Sequence, residues 1–107
     1  MDKDSTAVAA PLERRVRPWV LSRAADDVIA ERVRQTESEG WTAEHDDEHE
    51  GGELAEAAAC YALGTATSDT WPGSWDQAWW KPRDRRRNLV RAAALLIAEI
   101  ERLDRAA

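Results

Sequence analysis

The chain has 107 residues, a formal net charge of −6, 43% apolar and 34% charged side chains, one cysteine, six tryptophans and no phenylalanine. That length suits one small core rather than two, and the acidic balance argues against binding nucleic-acid backbones, which needs clustered cations. A single cysteine excludes an intramolecular disulfide, and the longest apolar run, Ala92 to Ala98, is far too short to span a membrane.

Residues 1–18 mix small, charged and proline residues without periodicity. The expectation is a flexible, disordered N-terminal arm, followed by a single helical domain over residues 19–107. Arg14, Arg15 and Arg17 read as a solvated tail, with a grip on an acidic partner as the alternative. Trp19-Val20-Leu21 is an apolar patch suited to docking the arm. A first helix is expected from about Ser22 to Ser38. Ser22 suits its N-cap, and Asp26 and Asp27 lie near the positive end of the helix dipole. Ala25, Ile29 and Val33 recur at i+4 with Val28 beside them, giving one apolar stripe. Glu31, Arg32, Arg34 and Gln35 fall mostly on the other side. Gly40 is a good C-terminal stop.

Thr42 to His49 is short and polar, and Thr42 suits the cap of a single turn. Gly51-Gly52 resets the backbone, and a second helix follows over Glu53–Leu63, closed by Gly64. Leu54, Ala57, Ala58, Tyr61 and Ala62 share one face, while Ala55, Ala59 and Leu63 make much of the remainder apolar. Such a helix belongs at the centre, where its alanines let neighbours approach closely. Cys60 lies in it and reads as a small core residue rather than a reactive thiol, with nothing cationic near it in sequence.

Thr65 to Arg83 shows no helical stripe and is punctuated by Pro72, Gly73 and Pro82. Long ordered connections in small domains tend to be functional. A third helix is expected from a cap at Asp84 to about Asp104. Leu89, Ala93, Leu96, Ile100 and Leu103 follow a 4-3-4-3 spacing, widened by Val90, Ala94 and Ile97, with Glu101 and Arg105 paired on the wet side. No segment reads as a strand. The fold class is all-α: a compact three-helix domain with a Trp-rich loop packed over it.

Three constellations carry chemistry. His45, Asp46, Asp47 and His49 are metal-ligand residue types, and the two histidines at i,i+4 share the geometry of H-E-x-x-H zinc sites. Here Asp46 stands where that motif needs Glu, so an acidic solvated loop or helix capping competes with a metal. Glu53 with Glu56, and Glu101 with Asp104, are carboxylate pairs on helices. Such pairs hold magnesium in all-α nucleotide pyrophosphohydrolases of the MazG type, and the competing reading is ordinary surface charge. The third constellation is Trp71, Trp75, Trp79 and Trp80 beside Lys81, Arg83, Arg85 and Arg86. Some indoles will fill the core where phenylalanine would otherwise serve. Indoles also stack on planar rings, and guanidinium forks grip phosphate, which together suit a nucleotide-like ligand. The acids nearby suit ribose hydroxyls or an adenine amine; alternatively Arg85 and Arg86 simply neutralise them.

Glu39-Gly40-Trp41-Thr42-x-Glu44-His45-Asp46-Asp47-x-His49 leads into Gly52-Glu53-Leu54-Ala55 and Ala57-Ala58-Ala59-Cys60-Tyr61-Ala62. Trp79-Trp80-Lys81-Pro82, Arg86-Arg87-x-Leu89-Val90 and Ala98 to Arg105 follow. Over residues 26–105 this pattern resembles a group of small phage and prophage proteins. That group in turn resembles the ryanodine-receptor repeat domain, in which a helix ends in Gly-Trp-Thr, an Asp follows, and an Arg-bearing segment starts the last helix. Gly40-Trp41-Thr42, Asp46 or Asp47, and Arg85 or Arg86 stand at those places. In place of that repeat's Leu-Val-Pro-Tyr stretch, this chain has an alanine-rich helix and an indole loop. The resemblance implies a small helical, phage-derived module that binds rather than catalyses, acting in the host cytoplasm, some relatives in function being proteins that sequester nucleotide signals of host defence.

The functional expectation is therefore a binding module without cofactor or metal. Trp41, Thr42, His45 and Tyr61, with Trp71, Trp75, Trp79 and Trp80, would form an aromatic pocket. Lys81, Arg85 and Arg86 would hold anionic groups, and Asp46 and Asp47 would orient polar edges. Partners are a nucleotide-like small molecule and possible further copies of the chain, with no membrane. The alternatives are a magnesium-dependent pyrophosphohydrolase built on Glu53 and Glu56, and an acidic inhibitor of a host protein. No nucleophile with an adjacent base can be assembled.

Overall fold

The Ser22 hydroxyl accepts the Ala25 backbone N–H at 3.0 Å, which satisfies one of the free donors at the start of a helix. Helix α1 runs from there over Arg23–Glu37 in a computed structural model that describes residues 22–107. The expected arm and the Trp19-Val20-Leu21 patch lie outside the described residues. Thr42 caps α2, a five-residue helix over Ala43–Asp47. Gly52, at φ +91°, starts α3, Glu53–Leu63, in a left-handed conformation that costs a glycine little. Gly64 closes α3 the same way at φ +78°, its N–H donating to the Cys60 carbonyl. After a long connection containing the 3-10 turn Gln77–Trp79, Asp84 caps α4, Arg85–Ala106. The described residues are all helix and connection, with no strand.

The core lies between α3 and α4. Leu54, Ala57, Ala58, Cys60 and Tyr61 of α3 meet Ala92, Leu95 and Ala98 of α4 in one buried cluster that also takes in Trp71 and Trp75. Alanine on both sides brings the two helices close, and the indoles of the connection close the cluster at one end. Cys60 is buried there as a free thiol. No described helix is long and apolar enough to cross a membrane.

Two faces differ from the hydropathy reading. On α1, Ile29 and Val33 are 53% and 46% exposed, while Glu31 and Gln35 are 1% and 0% exposed. The reason is the partner: α4 presents arginines. Glu31 accepts two hydrogen bonds from Arg34, both at 2.9 Å, one from Arg87, and one from Gln35 at 3.2 Å, with Arg91 3.7 Å away. Burial alone would raise the Glu31 pKa; these guanidiniums outweigh it and hold the carboxyl below its usual range. On α4, Leu89, Leu96, Ile100 and Leu103 of the 4-3-4-3 stripe are each between 41% and 57% exposed. The helix instead packs Ala92, Leu95 and Ala98 into the cluster with α3, and it also buries Val90, Ala94 and Asn88, the last bonded to the Arg83 backbone.

The acids of α2 tie it to the frame. Asp46 is fully buried and accepts from Arg32 of α1 at 2.8 Å, with the His45 Nδ1 3.3 Å away. Arg32 also reaches Glu101 of α4 at 3.1 Å. Asp47 pairs with Arg105 of α4 at 2.7 Å.

Candidate functional site

The turn after α1 fixes the first wall. The Trp41 backbone N–H donates to the Gln35 carbonyl at 2.9 Å, and the Thr42 hydroxyl accepts the His45 backbone N–H at 3.3 Å. The single helical turn that follows stacks His45 against the Trp41 indole, with planes 4° apart and ring centres separated by 6.0 Å. His49, four residues on, meets His45 edge-on at 4.9 Å and Trp75 at 5.1 Å. The Trp75 Nε1–H donates to His49 Nδ1 at 3.4 Å. That hydrogen bond assigns the ring proton of a neutral His49 to Nε2, which is buried and has no partner. Burial, and then the neighbouring His45, lower the His49 pKa.

The opposite wall comes from the connection. Trp75 packs edge-on against both Trp79 and Trp71, at 5.7 and 5.6 Å, and Trp71 packs against Trp80 at 5.6 Å. Tyr61 of α3 fastens this segment down. Its ring lies 4.6 Å from Trp80, its hydroxyl donates to the Trp79 carbonyl at 3.3 Å, and it accepts the Lys81 backbone N–H at 3.1 Å. Arg91 of α4 lies over the Tyr61 ring and donates to the Lys81 carbonyl at 3.1 Å.

Between these walls lies a cavity of about 490 Å³. Trp41, His45, His49, Trp75 and Trp79 form its sides, and Leu54, Tyr61, Arg91 and Leu95 its floor, with Arg34, Glu39, Lys81 and Arg83 completing the lining. The volume falls within the range of small-molecule sites. Four cations meet one carboxylate in that lining, Glu39, which pairs with Arg34 at 2.8 Å. Glu31 behind it draws on Arg34 and Arg91 as well. Lys81 and Arg83 have no ion-pair partner among the described residues, so the site retains net positive charge beside its aromatic surface.

Of the residues expected at a site, Trp41, His45, Tyr61, Trp75, Trp79 and Lys81 converge on this cavity. Trp71 is buried behind Trp75, and with Trp80 it lines a separate hollow of about 160 Å³. Thr42 acts as the cap of α2. Asp46 and Asp47 are turned to Arg32 and Arg105, and do not join the lining. Arg85 donates to the Ala62 carbonyl and Arg86 pairs with Asp27 at 2.8 Å, both away from the cavity. The cations that do reach it are Arg34, Lys81, Arg83 and Arg91. Arg83 sat in view beside Lys81 in sequence, and His49 in the paired-histidine spacing. Arg34 and Arg91 carried no local signal, because helix packing alone decides that they face inward here; Glu39 heads the Gly40-Trp41-Thr42 stretch but is not among the site residues expected from sequence.

Chemically the arrangement offers ring faces, a neutral imidazole donor and anchored cations. Among the described residues no group of three or more His, Cys, Asp or Glu side chains is placed to hold a metal ion. Glu53 accepts the Gly51 backbone N–H at 2.8 Å and Glu101 is engaged by Arg32, so one member of each carboxylate pair seen in sequence serves the helix start or the frame. Comparison with known proteins adds no relative: no family model, curated protein or solved structure matches the chain.

Proposed function

We propose that the domain is a binding module whose cavity takes a nucleotide-derived small molecule. The observation that carries this is the joint lining by Trp41, Trp75 and Trp79 and by Arg34, Lys81, Arg83 and Arg91. A planar base would lie against the indoles, where stacking contributes roughly 1–3 kcal/mol per base. Its phosphate would meet the cationic side, where charge-assisted hydrogen bonds are strong. The His49 Nε2–H, buried without a partner, supplies a donor to a base edge or a phosphate oxygen. The resemblance to phage proteins extends the proposal: the biological role would be to hold a nucleotide signal of host defence out of circulation.

The test is isothermal titration calorimetry against mononucleotides and cyclic nucleotides, with and without magnesium, with the ligand recovered afterwards. Binding that is independent of magnesium, returns the ligand intact and weakens about ten-fold or more in Trp41→Ala supports the reading. Unchanged affinity in a folded Trp41→Ala protein removes this cavity as the site. Cleaved ligand replaces the binding module by a hydrolase.

A further inference from the structure

Two carboxylates share Arg34, and only one of them is fixed. Arg34 Nε and Nη2 each donate to Glu31 at 2.9 Å, and Nη1 donates to Glu39 at 2.8 Å. The Glu31 side chain is fully buried, is held by Arg87 as well, and has Arg91 3.7 Å away. Its loss would leave guanidiniums facing one another in the interior, so it belongs to the frame. Glu39 has no cation but Arg34 among the described residues, and its side chain is 44% exposed. It stands just past α1, on the turn that leads through Gly40 to Trp41. An exposed ion pair of this kind adds little to stability, so the Glu39 carboxylate can leave Arg34 for water without disturbing the fold.

Among the described residues Glu39 is also the one carboxylate in the cavity lining. The cation it covers heads a continuous positive strip. Arg34 and Arg91 approach the same Glu31 oxygen, at 2.9 and 3.7 Å. Arg91 donates to the Lys81 carbonyl at 3.1 Å, and its Nε is buried without a hydrogen-bond partner. Arg34, Arg91 and Lys81 therefore follow one another along one side of the cavity. A carboxylate oxygen on a guanidinium at the head of that strip makes the contact that a phosphate oxygen would make there. We infer that Glu39 is a built-in occupant of a phosphate subsite: its carboxylate covers the Arg34 Nη1 that receives the ligand's phosphate, and the incoming group must displace it. Glu39 thereby sets the affinity for anions alone. A nucleoside that brings only its ring to the indoles leaves the Glu39–Arg34 pair in place. The inference rests on the binding reading above, and adds where the phosphate lies and which residue competes with it.

Glu39→Gln keeps the shape of the side chain and removes its charge at an exposed position. Isothermal titration calorimetry should show nucleoside 5′-monophosphates bound about ten-fold more tightly by the variant, since a competing charge at contact distance is gone. The affinity of the matching nucleosides should not change. A residue that merely orients Arg34 moves the result the other way: Glu39→Gln would then weaken monophosphate binding, which overturns the inference. Glu44→Gln removes one charge from α2 outside the lining and should leave both affinities as they are. An equal gain in that variant overturns a local subsite in favour of the overall charge. Inorganic phosphate, followed by NMR titration, separates the inference from the nucleotide reading. Tighter phosphate binding by Glu39→Gln, while neither protein binds a nucleotide, keeps the subsite and removes the nucleotide. No gain for phosphate or for monophosphates in that variant overturns the subsite, even where the parent binds nucleotides.

Discussion

Tyr61→Phe removes one oxygen atom and leaves every ring contact of the residue in place. That oxygen joins three elements: it donates to the Trp79 carbonyl at 3.3 Å and accepts from the Lys81 N–H at 3.1 Å and from Arg91 at 3.4 Å. Arg91 retains the Lys81 carbonyl as a partner, so two bonds are lost without replacement. At roughly 0.5–1.5 kcal/mol net each, the cost is about 2 kcal/mol. Water reaching the exposed Trp79 and Lys81 backbone trims this toward the lower end. For a domain of this size, each kcal/mol moves Tm by about 4–8 °C, so a fall of about 8 °C is expected in a calorimetric scan. The same loss frees the Trp79–Lys81 segment, which supplies an indole and an ammonium to the cavity. Nucleotide affinity should therefore fall about ten-fold, since the segment must be ordered again on binding. A Tm within 2 °C of the parent together with unchanged affinity would refute the view that this hydroxyl fastens the site.

Glu31→Gln leaves three arginines facing a neutral amide and should lower stability by about 3 kcal/mol, read from the urea midpoint at constant slope; a loss under about 1 kcal/mol would mean that solvent already neutralises the cluster. Because the folded Glu31 pKa lies below the ordinary 4.5, its contribution is complete above pH 4.5 and disappears as pH falls through the folded value, so parent and variant should converge in acid. His49 also has a lowered folded pKa, so its neutral form favours the native state fully above pH 6.5 and progressively less as pH drops from there toward the folded value. His49→Gln keeps an acceptor for Trp75 without titrating, and should flatten that part of the stability–pH curve; equal slopes in the two proteins would contradict the assignment. Leu54→Ala empties a fully buried position between α3 and the indoles and should cost about 3 kcal/mol by the same denaturation assay, against less than about 1 kcal/mol if the core simply collapses onto it.

Local chemistry was legible in the sequence, and tertiary choice was not. Ser22, Thr42 and Asp84 announce the starts of α1, α2 and α4, because a cap bonds to N–H groups two or three residues away. Gly64 likewise announces the end of α3. The faces of α1 and α4 were not legible, because hydropathy weighs large side chains most heavily. The α3–α4 contact is built from Ala57, Ala58, Ala92 and Ala98, which contribute little to such a weight yet set the closest approach. Leu89, Leu96, Ile100 and Leu103 dominate the pattern and stay half exposed. Glu31 looked solvated because Arg87 and Arg91 lie on α4, more than fifty residues away, and Gln35 is buried beside it, donating to Glu31 at 3.2 Å. The indole-rich connection stood out by composition, but nothing local separates Trp71, buried in the core, from Trp79, which faces the cavity. The acids of α2 stood out equally and are absorbed by Arg32 and Arg105.

The division of labour between the alanine-packed helix pair and the segments joining the helices has a consequence for how the domain can change. Only Leu54, Tyr61, Arg91 and Leu95 enter the cavity from α3 and α4, while Trp41, His49, Trp75, Trp79, Lys81 and Arg83 all stand on connections. A scaffold of this kind can exchange its recognition surface and keep its foundation, as loops on a rigid frame generally do. On the binding reading proposed above, variation concentrated in residues 39–52 and 65–84 would change what the cavity accepts and leave the α3–α4 pair intact.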